Sequence, residues 1–220
     1  MPPTRKELIH LIEDPVAFLE DDSAVLRRMA LTALSRDQAL ANHTLVAERA
    51  TDEESAVRAA AAEKLSIYGE KAFELLLSLS IDEKPTVREA VATAFGEIGS
   101  ATAVDWLIDA VTSDPDRYVR EAAVAALGAV GDQRALDTLL DAMVDGPPQV
   151  RRRAIAAITM FDDDRIEPAL RRAALDRNPG VREAAEMVVG KQLTSVPPSG
   201  GTGELASQGG LRACEPEQDW

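Results

Sequence analysis

The sequence is poor in the residues that most often carry chemistry. Of its 220 residues one is a cysteine, Cys214, and two are histidines, His10 and His43. A single cysteine closes no intramolecular disulfide, and no histidine stands near it to form a nucleophilic pair. The acidic run Asp162, Asp163 and Asp164 lacks the Gly and Glu of a calcium loop and reads instead as a cap for the helix after it. No metal or other cofactor is expected, and an enzymatic role is disfavoured. Aromatic residues make up only 4% against 45% hydrophobic, so Ala, Leu and Val must supply the core. Side chains that small suit closely stacked helices better than a sandwich or a barrel. No apolar run is long enough to cross a bilayer. The opening MPPTRKELIHLIED lacks a signal-peptide core, so a cytoplasmic location is expected.

The formal net charge is -14. Proteins that hold nucleic acid neutralise phosphates with Lys and Arg, so the charge argues against that partner and for a protein with a basic segment. Arg151, Arg152, Arg153, Arg165, Arg171 and Arg172 are the exception, a local cluster without interleaved aromatics.

An internal repeat dominates the chain. Arg27, Arg58, Arg88, Arg120, Arg151 and Arg182 recur at spacings of 31, 30, 32, 31 and 31. Six residues before each stands an aspartate: Asp21, Asp52, Asp82, Asp114, Asp145 and Asp176. Leu or Val precedes every arginine, and an apolar residue follows each at the seventh position. A period of this length signals a solenoid of helical hairpins. Each first helix should begin three residues before its arginine, where Pro85, Pro148 and Pro179 occupy the first helical position. Ser23, Asp116 and Asn178 are placed to cap those helices. Gly69, Gly99 and Gly131 mark the hairpin turns. The Asp–Arg columns read as structural, a set of charge-assisted bonds between turns. Residues 1–20 should add an N-terminal helical cap broken at Pro15, and residues 194–220, rich in Gly, Ser and Pro, read as a flexible tail. SGGTG within that tail lacks the Lys-Ser/Thr of a phosphate loop.

Residues 114–145, DPDRYVREAAVAALGAVGDQRALDTLLDAMVD, resemble the HEAT-like repeat first associated with phycobilisome lyases. The resemblance extends over residues 21–193 and implies an all-α solenoid of five to six stacked hairpins. It also implies a shallow superhelix with the second helices on the concave face. HEAT-like deoxyhypusine hydroxylases hold iron through His-Glu pairs, which this sequence lacks. HEAT-like DNA glycosylases use a basic concave surface, the comparison relevant to the C-terminal arginines.

Placing Leu136, Leu139, Leu140 and Met143 inward leaves Asp137, Thr138 and Asp141 outward. The same columns give Asp105, Trp106 and Asp109 in the third copy, and Glu74, Leu75 and Ser78 in the second. Glu74, Leu75, Asp105, Trp106, Asp109, Asp137 and Asp141 are therefore the candidate partner-binding residues, an acidic stripe anchored by Trp106. The expected function is a protein-interaction scaffold. The alternatives are a phycobilisome lyase-like enzyme or accessory protein, and a nucleic-acid binder using the C-terminal arginines.

Overall fold

A computed structural model describes residues 2–190. The expected flexible tail at 194–220, with Cys214, lies outside the described residues. Within them the chain is an α-solenoid. The first helices of successive repeats are α2 (Ala24–Ala33), α5 (Ser55–Leu65), α7 (Pro85–Ile98), α9 (Arg117–Val130), α11 (Pro148–Ile158) and α13 (Pro179–Val189). The second helices are the pair α3 (Arg36–Ala41) and α4 (His43–Glu48), then α6 (Phe73–Leu79), α8 (Val104–Ser113), α10 (Leu136–Asp145) and α12 (Ile166–Ala173). Ahead of them α1 (Arg5–Glu13) and a 3-10 turn at Pro15–Phe18 pack on α2 and bury Leu11 and Phe18.

Local chemistry sets the boundaries. Pro85, Pro148 and Pro179 open their helices, where a missing N–H leaves no bond unmade. Asp116 and Asn178 accept backbone N–H groups of the first turn, whereas the Ser23 side chain makes no such bond. Gly99 and Gly131 end α7 and α9 in the left-handed conformation (φ 70° and 66°), turning the chain toward the second helix. The core lies between the two helix rows. Leu107 of α8 and Leu136 and Leu139 of α10 are fully buried there, as are Phe95 and Leu127 of the first helices.

The two rows stack differently. Each first helix packs along the next, α5 on α7, α7 on α9 and α9 on α11, through Ala and Gly. A Cβ on Gly96 would stand 2.9 Å from Ala126, and one on Gly128 only 2.7 Å from Ala157. The second helices meet their equivalents sparsely, as α8 with α10 and α10 with α12. A stack whose spacing is shorter along one row bends toward that row. The concave face, expected on the second helices, is therefore formed by the first helices, and the second helices lie on the outside of the bend.

Candidate functional site

The Asp–Arg columns form bridges between neighbouring repeats. Arg27 holds the Asp52 carboxylate through Nε and Nη2, both at 2.8 Å. Arg58 grips Asp82 at 2.7 and 3.1 Å, Arg88 grips Asp114 at 2.7 and 3.0 Å, and Arg151 grips Asp176 at 2.8 and 2.7 Å. The third guanidinium nitrogen donates back into its own repeat, as Arg88 Nη1 does to the Asp82 carbonyl at 2.8 Å. Each carboxylate also accepts a backbone N–H two residues on, such as Lys84 N–H to Asp82 at 2.8 Å. The Arg58 and Arg151 bonds hold Asp82 and Asp176 below the usual carboxylate range. Bidentate bonds of this kind are worth roughly 1.5–3 kcal/mol when partly buried. These arginines fix stacking and are spent on it.

The acidic stripe of the second helices is exposed as expected at Glu74, Asp105, Asp109, Asp137 and Asp141, with Leu75 and Trp106 half-buried. It is less free than the sequence implies. Arg134 bridges Asp105 at 2.9 Å while gripping Asp132, and Arg165 bridges Asp137 at 2.7 Å while gripping Asp163. These two Asp-x-Arg turns, 31 residues apart, are a second repeating column legible in the sequence. Asp163 thus accepts from the Arg165 backbone at 2.9 Å, whereas Asp162 and Asp164 are exposed. Trp106 packs edge-on to Phe95, ring centroids 5.6 Å apart, and Phe95 meets Phe73 at the same distance. The indole is a lid on the core as much as a surface anchor.

The inside of the bend carries a second acidic surface, which the stripe chosen from the sequence does not include. A groove of about 410 Å³ runs over α7, α9 and α11. Its floor is Gly96, Ala122, Ala125, Ala126 and Ala129, the small residues that let the helices approach. Glu89, Glu97 and Glu121 line it with Tyr118, which is 51% exposed. Burial pushes the Glu89 carboxyl above its ordinary value, and Asp116, Glu121 and Glu63 push it further. Arg153 at one end reaches Glu121 at 3.3 Å. The position after the repeat arginine, Glu89 and Glu121 in two successive copies, was the signal for this groove.

The C-terminal arginines do not gather into a basic patch. Arg151 is 2% exposed and bound to Asp176, Arg165 is held by two aspartates, Arg171 pairs with Glu167 and Arg153 with Glu121. Only Arg152 and Arg172 of that set are exposed without an ion pair among the described residues. Among those residues no cluster of three His, Cys, Asp or Glu side chains has the geometry to hold a metal ion, and no helix is long and apolar enough to cross a membrane.

Comparison with known proteins agrees with this architecture. Residues 73–152 match the model for HEAT repeats. A chain of the CpcE–CpcF complex of phycocyanin lyase from Nostoc sp. PCC7120 is 25% identical, with a TM-score of 0.57 over 69% of this chain and 99% of that one. Two engineered proteins share the fold at 19% and 17% identity, with TM-scores of 0.53 and 0.54. Each covers 80% of this chain, and the matches span 95% and 93% of their own lengths. No curated protein matches the sequence.

Proposed function

We propose that this HEAT-like repeat protein is a protein-interaction scaffold whose concave first-helix groove receives a basic segment of its partner. The observation that carries this reading is the groove over α7, α9 and α11, where Glu89, Glu97 and Glu121 stand above a floor too small-chained to project its own cation. Burial raises the Glu89 carboxyl, and the neighbouring charges of Asp116, Glu121 and Glu63 raise it further. A Lys or Arg side chain would offset those charges on entering, so binding and charge relief coincide. Tyr118 offers an aromatic face at the rim, already stacked under Arg117 at 4.6 Å, and a partner cation could replace that arginine. The related chain belongs to a two-protein complex, which supports a protein partner. Glu74, Asp109 and Asp141, with Leu75 and Trp106, supply a weaker second contact on the outer face. Asp105 and Asp137 add less to it, because each already shares an arginine, Arg134 with Asp132 and Arg165 with Asp163.

The test is calorimetric titration of an octalysine peptide into the protein at low and raised salt. Replacing Glu89, Glu97 and Glu121 together by Gln should weaken binding about tenfold and flatten its salt dependence. Replacing Asp109 and Asp141 by Asn should change affinity by much less. Equal loss from both sets would move the site to the outer face, and no loss from either would remove the acidic-surface reading. The likeness to the phycocyanin lyase chain favours a second reading, an accessory protein to bilin attachment. Purified protein with added linear tetrapyrrole should then show a shifted bilin absorbance band, and an unshifted band removes that reading.

A further inference from the structure

Two arginines of the repeating column have no carboxylate partner among the described residues: Arg182, in the last described helix, and Arg120, inside the stack where a following repeat does supply an aspartate. Arg120 is oriented like its counterparts, with Nη1 donating to the Asp114 carbonyl at 2.6 Å. Four counterparts fill the remaining Nε–Nη2 edge with an aspartate from the next repeat. The aspartate due to Arg120 is Asp145, and among the described residues the two form no ion pair or hydrogen bond. The cause is local. In the other five copies the aspartate accepts the N–H two residues on, from Ser23, Glu54, Lys84, Asp116 and Asn178, and in the four that follow a repeat arginine it so leaves the preceding helix to face that arginine. Two residues after Asp145 stands Pro147, which has no N–H. Asp145 stays in the last turn of α10 and is exposed. The vacated place is a cleft of about 340 Å³ lined by Arg120, Thr112, Thr138, Asp141, Asp145 and Pro147.

We propose that this cleft is a docking site for an acidic side chain of a protein partner, held by the Arg120 fork in the manner of the four filled bridges. Those bridges state the chemistry of the ligand, a carboxylate gripped through two parallel N–H bonds at 2.7–3.1 Å. Asp141 and Asp145 at the rim state its context. A bare anion meets their repulsion, while a carboxylate with a basic neighbour satisfies both signs, so the occupant is a mixed-charge peptide turn such as Asp-Arg. Residues 176–179, Asp-Arg-Asn-Pro, offer such a sequence, and their Asp176 carboxylate fills the Arg151 fork. The site lies where α8 and α10 meet the first turns of α9 and α11, and it shares no lining residue with the first-helix groove.

The experiment is titration of acetyl-Asp-Arg-Asn-Pro-amide into the full chain, followed through the arginine Nε–Hε signals in nitrogen-15 spectra. Arg120→Gln identifies the signal by its loss. The expected result is a saturable shift confined to Arg120, with at least about tenfold weaker binding of the Asn-Arg-Asn-Pro peptide. Pro147→Asn supplies the missing N–H, so Asp145 should close onto Arg120. That variant should lose the response while keeping the fold and melting higher. Acetate shifting Arg120 at the same concentrations as the peptide would make this a small-anion pocket and overturn the proposal. An Arg120 signal that does not respond, moves together with all other arginines, or is already bonded before addition would overturn it as well.

Discussion

Along the first helices, residues with almost no side chain carry the stack. Ala126 and Ala157 come so near Gly96 and Gly128 that one added carbon would collide, and bidentate Arg–Asp bonds fasten the ends of the same helices. Along the second helices the equivalents barely touch, and their bridges, Arg134 to Asp105 and Arg165 to Asp137, are exposed. The contacts between successive repeats are concentrated on one row, and the ion pairs of the other contribute less, because exposed pairs are screened by solvent far more than buried ones. The proposed partner groove lies on the closely packed row, where a preorganised surface loses little entropy on binding.

The comparison breaks most readily at its bridges. Arg151→Ala strands the Asp176 carboxylate, and a loss of about 3–5 kcal/mol in urea unfolding is expected. Arg120→Ala removes one bond to a carbonyl and should cost about 1 kcal/mol. Equal losses would show that Arg120 has a carboxylate partner in solution. A smaller effect separates the rows themselves. Gly128→Ala should cost about 1–3 kcal/mol through overpacking against Ala157, while Asp109→Ala on the outer row should stay within about 0.5 kcal/mol. Thermal denaturation reads both, and a large effect of Asp109→Ala would show hidden contacts among second helices. The smallest effect is in acid. Glu89 is raised in the folded state, so its charge opposes folding at neutral pH, and stability should rise slightly as pH falls through its folded pKa. Asp82 and Asp176 are lowered, so the stability they confer persists above about pH 3.9 and fades only below it. Glu89→Gln should abolish the slight rise and leave the acid limb in place when melting is followed against pH.

The hairpin plan was legible because it rests on local chemistry repeated six times. Pro85, Pro148 and Pro179, the turn glycines and the Asp–Arg columns each fix a neighbouring turn. What could not be read was which repeat completes each bond. Arg88 takes the carboxylate of the following copy and the carbonyl of its own, a division that depends on three-dimensional stacking. The curvature was missed for the same reason, although the glycines at 96 and 128 and the alanines facing them already favoured close approach of the first helices. Trp106 was read as a free anchor because helical period gives direction but not depth, and Phe95 draws the indole half under cover. Asp105 and Asp137 looked unpaired because their arginines sit 29 and 28 residues further along.

Pro147 also gives the stack a mechanical grain. A repeat array comes apart at its weakest joint, because each unit is held only by its neighbours. Four of the five joints here are riveted by a largely buried guanidinium, and the joint between α9 and α11 has only packing and the exposed pairs Arg153–Glu121 and Arg165–Asp137. Under load or heat that is where a crack would start, shedding residues 146–190 as one leaf while the longer N-terminal block stays shut. Amide exchange would see it as a step in protection between α10 and α11. A partner carboxylate seated on Arg120 would act as the missing rivet, stiffening the whole rod from a single point.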